Sequence, residues 1–253
     1  MDKELLLEKI KKGSSLHFLS NCYSLDCLEN AEMIWEMKDS FLFSYNDHGI
    51  KRLSFFVESY SVLDELLNQI YEGIYYFELM SKNPEEYNNP NVKTIAKMMR
   101  MSSADCSKVL EDETLLQYKD DLICVVADVK EAEEINDVLW DTFSTEVSHL
   151  LYVDELKKEI EAGNVFIHKG EKIDAILQAD IKPKKFYINQ VVNKADKSII
   201  HAIMIKQLER YVQGGGKYLY AWVDEKNIAS VKFHSKYGLK HDGMWNIVYC
   251  IEK

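Results

Sequence analysis

The chain has 253 residues, 47% of them hydrophobic, which is enough for one large domain or two of ordinary size around a packed core. Its net charge of −11 argues against nucleic acid as a partner, because affinity for nucleic acid comes mostly from cations that neutralise phosphates. The first fifteen residues carry charges throughout and no stretch reaches the ~20 apolar residues of a membrane span, so we expect a soluble, cytoplasmic protein without a membrane partner.

The first part of the chain predicts an α/β arrangement, because its hydrophobic spacing alternates between the periods of amphipathic helices and half-buried strands. In chain order, we predict helices at 3–12 and 27–38, two strands separated by a turn within 40–59, a helix at 61–72 and a strand at 73–80. The polar segment 83–90 begins and ends beside Pro84 and Pro90 and predicts a loop.

A second series of elements begins at residue 122. We predict a strand and a helix within 122–143, a helix at 154–163, strands at 164–170, 172–181 and 185–193, a helix from about Ser198 to Gln213, a strand at 217–223, a helix at 227–237 and a strand at 244–253. The two series predict domains 1–118 and 119–253. Alternating strands and helices favour a mixed α/β sheet over a bundle or a sandwich. Both series share a helix, strand, strand, helix, strand order, so we treat the N-terminal domain as a hypothetical degenerate second copy.

The cysteines and histidines do not predict a metal site. Five cysteines is an odd number, and none of them is spaced as C-x-x-C, which favours reduced thiols. The histidines show no pairing with an acidic partner at the spacing of metal ligands.

The segment after the strand at 185–193 predicts a helix N-terminus of the kind that can hold an anion. Asp196 or Ser198 can cap this helix, and the Gly214 to Gly216 run ends it. The first N–H groups of a helix are unpaired and its dipole adds positive potential there. Most helices begin this way without binding anything, so a second signal is needed.

The stretch "NIASVKFHSKYGL" at 227–239 supplies the second signal. It fits the pattern N-x-x-A/S-x-x-L-Y-E-K-x-G-F, with Asn227, Ser230, Phe233, Lys236 and Gly238 in place and Leu239 at the last position. Together with the preceding strand, loop and helix, it resembles the GNAT superfamily of acyl-CoA-dependent N-acetyltransferases. The resemblance covers about Cys124 to Ile251 and implies a mixed, mostly antiparallel sheet flanked by helices.

The resemblance implies acetyl-CoA as the acyl donor, held by a loop of the form R/Q-x-x-G-x-G/A. Here Lys197 stands at the first position, Ile200 replaces the first glycine and Ala202 is the terminal small residue, which predicts weakened or shifted binding. The residues expected to contact the cofactor are Val191, Val192, Lys197, Ser198, Ile199, Ile200, His201, Ala202, Asn227 and Ser230.

His234 occupies the position where the family carries a tyrosine that protonates the leaving thiolate, so His234 is the predicted acid and Tyr237 its competitor. Helix geometry places Asn227, Ser230 and His234 on one face, which we expect to meet the cofactor. Ala229, Phe233 and Tyr237 share another face, which we expect to pack on the sheet. Backbone N–H groups near Val191 and Val192 are the predicted oxyanion donors. No general base is evident, because the strand at 185–193 lacks the expected acidic residue, so a water molecule, Asn189 or Gln190 would have to help.

These features predict an N-acetyltransferase that transfers an acetyl group from acetyl-CoA to a primary amine, on a small molecule or a lysine. The acidic charge favours a cationic acceptor. Two alternatives remain: a catalytically inactive acyl-CoA-binding or assembly module of the same fold, and an aminoacyl transferase with a doubled fold. We expect a monomer or a homodimer.

Overall fold

A computed structural model of the chain describes residues 18–22, 30–119 and 125–253. In the first half it contains strands β1 (Leu19–Ser20), β2 (Ala31–Met37), β3 (Ser40–Asp47), β4 (Ile50–Val57), β5 (Ile74–Ser81) and β6 (Val92–Ser103), with helix α1 (Tyr60–Leu67) between β4 and β5. The predicted helix at 3–12 lies outside the described residues.

The second half begins with a 3₁₀ helix (Cys106–Glu111) and helix α2 (Glu113–Leu116). Strand β7 (Val125–Val126), a 3₁₀ turn (Val129–Glu131) and helices α3 (Ala132–Thr142) and α4 (Val153–Glu161) follow. Strands β8 (Val165–Lys169), β9 (Ile173–Lys182) and β10 (Lys185–Asn193) then lead to α5 (Lys197–Gln213), β11 (Leu219–Asp224), α6 (Ile228–Lys236) and β12 (Lys240–Glu252).

The chain forms two compact units that do not coincide with the predicted boundary at 118. The first unit takes the described residues up to Met98 together with Met244–Lys253, and the second takes Met99–Gly243. The reason is that the last strand belongs to the first unit: β12 pairs with β5 over eight residues, from Trp245 opposite Ser81 to Glu252 opposite Ile74.

The first unit has the strand order β2-β3-β4-β5-β12. Neighbouring strands are antiparallel except β4 and β5, which are parallel and joined through α1. Ser59 caps α1, and Leu63, Leu66 and Leu67 of the helix are buried in one core with strand side chains. That core includes Phe55 and Phe77, together with Ile247, Tyr249 and Ile251 of β12.

The second unit has the strand order β6-β11-β10-β9-β8-β7. Strands β7 to β10 are antiparallel neighbours, whereas β10 and β11 are parallel and joined through α5. Helix α5 packs on one face of this sheet and α3 and α4 cover the other, giving two cores. The predicted mixed, mostly antiparallel sheet flanked by helices is therefore confirmed.

The helix predicted at 27–38 is wrong where the structure describes it, because residues 31–37 form β2. A tight turn at Lys38 and Asp39 joins β2 to β3, and the two strands pair from Met33 opposite Ser44 to Met37 opposite Ser40. Trp35 and Met37 pack in the core beneath α1, whereas Ile34 packs in a cluster with Phe41 and Phe43. Apolar residues lie on both faces of this strand. Their spacing also fits the period of an amphipathic helix, which explains the wrong prediction.

Candidate functional site

The candidate site lies where β10 separates from β11 in the second unit. The two strands pair only from Phe186 opposite Leu219 to Ile188 opposite Ala221. Beyond Ile188, β10 continues to Asn193 without a paired partner in β11. We call this opening, between residues 189–193 of β10 and 222–224 of β11, the β10–β11 gap.

A β-bulge at Asn189 marks the point where the gap begins. On the β9 side, Ile188 pairs with Ala179 and Gln190 pairs with Gln178, so Asn189 is the extra residue. Bulges disrupt the ladder and increase the local twist. The bulge therefore accounts for the divergence of β10 from β11 after Ile188.

The backbone of β10 presents one of the two predicted oxyanion donors to the gap. The backbone N–H of Lys194 donates to the backbone carbonyl oxygen of Asp174 in β9 at 2.7 Å. Because alternate residues of a strand point their N–H groups to opposite sides, the N–H of Val192 is also directed to β9. The N–H of Val191 is directed away from β9 and towards the gap. Val191 fits the predicted role, and the orientation of Val192 does not.

The N-terminus of α5 follows β10 and is capped by Asp196. The carboxylate of Asp196 accepts the backbone N–H of Ser198 at 2.8 Å, which confirms one of the two predicted caps. Hydrogen bonds from Ser198, with the nearby charge of Lys197, lower the pKa of Asp196. A negative side chain thus already occupies the position that a phosphate would take at this helix end.

Four of the predicted cofactor contacts are buried inside the second unit: Val192 of β10 and three residues of α5. Ile200, His201 and Ala202 lie in the first turns of α5 and are at most 4% exposed. Ile200 belongs to the same core as Leu177 and Tyr237. These α5 residues are helical and do not form the predicted loop. Their buried side chains do not fit the predicted contacts with the cofactor. Lys197, Ser198 and Ile199 remain accessible at the helix start.

His201 and Tyr237 form a buried pair that connects α5 to the end of α6. The Tyr237 hydroxyl lies 2.6 Å from Nδ1 of His201. The His201 ring stacks between Tyr118 at 4.8 Å and Phe233 at 5.4 Å. Burial, with the charges of Lys236 and Lys197, lowers the pKa of His201 to about 4, so this imidazole is neutral and can accept a hydrogen bond from the Tyr237 hydroxyl.

Tyr237 does not fit its predicted role as an alternative acid. The side chain is fully buried, and burial raises the pKa of its hydroxyl above the ordinary range. Its hydrogen bond to His201 holds α6 against α5. Tyr237 is therefore a packing residue.

Helix α6 does not present the two faces that its sequence predicted. Asn227 is an exposed N-cap whose Oδ1 accepts the N–H of Ser230 at 3.0 Å. Ala229, expected to pack on the sheet, is exposed, whereas His234, expected to face a cofactor, is 4% exposed. His234 and Tyr237 are buried and Phe233 packs against the same core as Tyr237, so this side is the inner face of the helix, with Ser230 half-buried at its edge.

His234 is held as a neutral imidazole. Its Nδ1 lies 2.8 Å from the backbone carbonyl oxygen of Ser230, which requires a proton on Nδ1. Burial lowers the pKa of His234 to about 4, although the Ser230 carbonyl opposes this shift. Nε2 then carries a lone pair, and it is buried without a hydrogen-bond partner. At neutral pH His234 can accept a hydrogen bond, and it does not fit the predicted imidazolium acid.

The first unit contains a corresponding opening between parallel strands, and there it is filled. β4 and β5 pair only at Arg52 opposite Tyr76. Further along, β1 pairs with β4, Leu19 opposite Val57. The Asn21 carboxamide accepts the N–H of Phe55 at 2.7 Å and donates to the carbonyl of Leu53 at 3.1 Å. The edge of β4 is thus satisfied by the chain itself.

Gln190 was considered only, with Asn189 or a water, as a substitute for the missing general base, and not as a binding residue. It is 5% exposed, and its Oε1 is buried without a hydrogen-bond partner. A glutamine in an apolar strand, "FYINQVV", is the signal in the sequence, but the bulge that orients it is not encoded in any recognised pattern.

Within the described residues, no group of three or more His, Cys, Asp or Glu side chains is arranged to hold a metal ion. Across the same part of the chain, no helix has the length and apolarity needed to cross a membrane.

Comparison with known proteins shows the fold class. No family model matches the chain, and no curated protein matches it in sequence. A GCN5-related N-acetyltransferase from Sphaerobacter thermophilus superposes with a TM-score of 0.59 at 8% identity, covering 84% of this chain and 76% of that chain. A putative acetyltransferase of the GNAT family from Novosphingobium aromaticivorans gives 0.53 at 11%, covering 89% and 92%. A tandem GNAT protein from the clavulanic acid biosynthesis pathway gives 0.54 at 9%, covering 84% and 78%.

The chain therefore has the fold of the GCN5-related N-acetyltransferases. At these identities the likeness concerns the fold alone. It extends over most of the chain and is not confined to residues 124–251, where the sequence motif lies.

Proposed function

We propose that the protein is an acyltransferase that transfers an acetyl group from acetyl-CoA to a primary amine, with the donor bound along β10 of the second unit. The observation that carries this proposal is the β10–β11 gap. It leaves a strand edge open beside a helix N-terminus in the second unit, whereas β1 fills the corresponding edge in the first unit.

The residues at the gap fit the pantetheine arm of acetyl-CoA. In the first unit, the amide side chain of Asn21 bridges the backbone N–H of Phe55 and carbonyl of Leu53 on the β4 edge. An amide-bearing chain laid along β10 can make the same two kinds of bond. The pantetheine arm carries such amides, so the β10 edge suits it by the same chemistry.

The fit is weaker at the phosphate end. The N-terminus of α5 and the exposed side chains of Lys194 and Lys197 favour an anion there. The Asp196 carboxylate opposes it, because it already accepts the N–H of Ser198. We infer that the pyrophosphate is bound beside the negative charge of Asp196 and that affinity is correspondingly reduced.

When bound, acetyl-CoA supplies an acyl group activated as a thioester. The N–H of Val191, directed into the gap, can donate to the thioester oxygen as negative charge develops on it. His234 stays neutral, and its Nδ1–H donates to the Ser230 carbonyl oxygen, so it does not deliver a proton to the thiolate. In net terms, the amine loses its proton as the C–N bond forms, and the departing sulfur gains one as the C–S bond breaks.

A catalytically inactive acyl-CoA-binding module is the second candidate. It is favoured by the Asp196 cap and by the lack of a protonated acid at His234. Both candidates require acetyl-CoA to bind. They differ in whether a primary amine then releases free thiol.

The test is calorimetric titration with acetyl-CoA of the wild type and of Asp196→Asn. Asparagine caps helices about as well as aspartate, so the fold should be retained. Removing one charge near the pyrophosphate, at roughly 1 kcal/mol, should tighten binding by about 5- to 10-fold. Asp112→Asn is the matched control, because Asp112 caps α2 in the same way, accepting the N–H of Thr114 at 2.9 Å. It should leave affinity unchanged.

Absence of wild-type binding at millimolar acetyl-CoA would refute both candidates. Binding without thiol release in the presence of primary amines would favour the inactive module. Equal effects of the two Asn variants would contradict the assignment of the phosphates to the start of α5.

A further inference from the structure

The bulge in β10 places one buried polar side chain on the face of the sheet opposite α5. Ile188 pairs with Ala179, and both pack in the core beneath α5. If pairing were regular, Gln190 would face the same core. Because Asn189 is extra, Gln190 instead pairs with Gln178 and shares its face with Val192, which packs in the core beneath α3 and α4.

Gln190 also lies at the open side of β10. It is the first residue after the bulge and comes two residues beyond Ile188, the last residue of β10 that pairs with β11. Val191, whose N–H is directed into the gap, is its neighbour in sequence. The side chain of Gln190 is therefore attached beside the position proposed for the acyl group, on the face away from α5.

The carboxamide oxygen of Gln190 lacks a hydrogen-bond donor. The side chain is 5% exposed, and Oε1 is buried without a partner. Leaving a buried acceptor unpaired is costly, and native structures seldom do so without a functional reason. An acceptor in this position selects a ligand that brings an N–H or O–H group.

We propose that Oε1 of Gln190 accepts a hydrogen bond from the nitrogen of the acceptor amine and orients its lone pair towards the thioester carbon. This inference rests on the proposed function. A carboxamide is not a base, so Gln190 positions the amine and does not take its proton. The nitrogen forms the new C–N bond, the C–S bond breaks, and the amine proton ends on the sulfur.

The acidic composition of the chain favours a cationic amine, so spermidine is the first probe. Butylamine and Nα-acetyl-lysine amide are the second and third probes, which represent a simple amine and a lysine side chain. Binding of each is measured directly by calorimetry in the presence of CoA, and transfer is measured by release of free thiol from acetyl-CoA.

The decisive variant is Gln190→Leu. It removes the acceptor while keeping a side chain of similar size, so we expect the affinity for the best probe to fall at least 10-fold with acetyl-CoA affinity unchanged. Because an unpaired buried oxygen is removed, the thermal midpoint should rise by about 2–4 °C. A purely structural role for Gln190 predicts the opposite change in the midpoint.

Gln178→Leu is the matched control, since Gln178 is a buried carboxamide on the same face and is the register partner of Gln190. It should leave amine affinity unchanged. Gln190→Glu adds a second arm: a carboxylate there can act as a base, so the rise of kcat/KM with pH expected for the wild type should flatten and the rate at pH 7 should increase.

The outcomes separate this inference from the proposed function. Probe binding that depends on Gln190 without thiol release would support the hydrogen bond from the amine to Gln190 and refute the acetyl transfer. Thiol release with an unchanged KM for the amine in Gln190→Leu would refute the inference and leave the transfer intact. The inference is also overturned if none of the three probes binds the wild type, or if Gln190→Leu weakens acetyl-CoA binding as much as amine binding.

Discussion

At the scale of single residues, the burial of His234 links the stability of the protein to pH. The pKa of His234 is about 4 in the folded chain, below its ordinary value of about 6.5. Between these values the unfolded chain takes up a proton that the folded chain does not. The stabilisation is therefore present above about pH 6.5 and is lost as pH falls towards 4, by on the order of 3 kcal/mol.

His234→Asn should remove this part of the pH dependence. Asparagine keeps an N–H donor for the Ser230 carbonyl but does not titrate in this range. Urea unfolding at pH 7, 6, 5 and 4 measures the change. Ser230→Ala is the control, because it removes only the hydroxyl and retains the carbonyl that binds Nδ1, so it should keep the wild-type slope. His201, whose pKa is also lowered to about 4, should account for part of the slope that remains, and an undiminished slope in His234→Asn would show that His234 does not contribute.

The sequence motif located these residues but did not reveal their surroundings. The spacing of Asn227, Ser230 and His234 predicted a shared face, and the helix and its Asn227 cap are present. The spacing could not indicate which face is buried, because that depends on His201 of α5, which pairs with Tyr237 of α6 from 36 residues away. A long-range pair of this kind leaves no periodic signal in the sequence.

At the scale of elements, the extra residue Asn189 should control whether the β10–β11 gap exists. Deleting Asn189 would return β10 to regular alternation while Gln190 keeps Gln178 as its partner. β10 could then continue its ladder with β11 beyond Ile188. We expect acetyl-CoA affinity to fall at least 10-fold, with a thermal midpoint equal to or above that of the wild type.

Calorimetry and a thermal melt on the deletion variant test this expectation. Asn189→Ala provides the comparison, since it keeps the extra residue and therefore the bulge, and it should bind acetyl-CoA as the wild type does. Wild-type affinity in the deletion variant would mean that the gap does not depend on the bulge.

Element types were predictable where clear end signals delimit the apolar run. The predicted bounds of the strand at 185–193 and of the helix that starts near Ser198 agree with β10 and α5 to within a residue, although both elements bury residues on more than one face. β2 was misassigned because Ile34, Trp35 and Met37 supply two different cores. Apolar residues on both faces of a strand obscure its two-residue period.

At the scale of the whole molecule, the first unit should be incomplete without the last ten residues. Residues 1–98 lack β12, so the edge of β5 is unpaired and the core beneath α1 loses Ile247, Tyr249 and Ile251. We expect a 1–98 fragment to aggregate or to unfold without cooperativity. Adding a synthetic 244–253 peptide should restore a cooperative thermal transition.

A peptide carrying both Ile247→Asp and Ile251→Asp is the control, because it retains the backbone for pairing but places charges in the core. It should not restore the transition. A cooperative transition in the 1–98 fragment alone would show that the first unit does not need β12. The sequence alone could not show that residues 244–253 belong to the first unit, because strand pairing between residues 74–81 and 245–252 has no counterpart in local composition.

The pairing of β12 with β5 in the first unit also sets the order in which the protein can fold during synthesis. The first unit is made first but is completed last, because roughly 150 residues separate Met98 from the strand that completes it. At translation rates of about 5–20 residues per second, the nascent chain carries an unpaired β5 edge for roughly 7–30 s. A ribosome that stalls late, or a stop codon ahead of residue 244, therefore releases a chain whose N-terminal sheet is open to aggregation, although strands β1 to β5 have been made correctly.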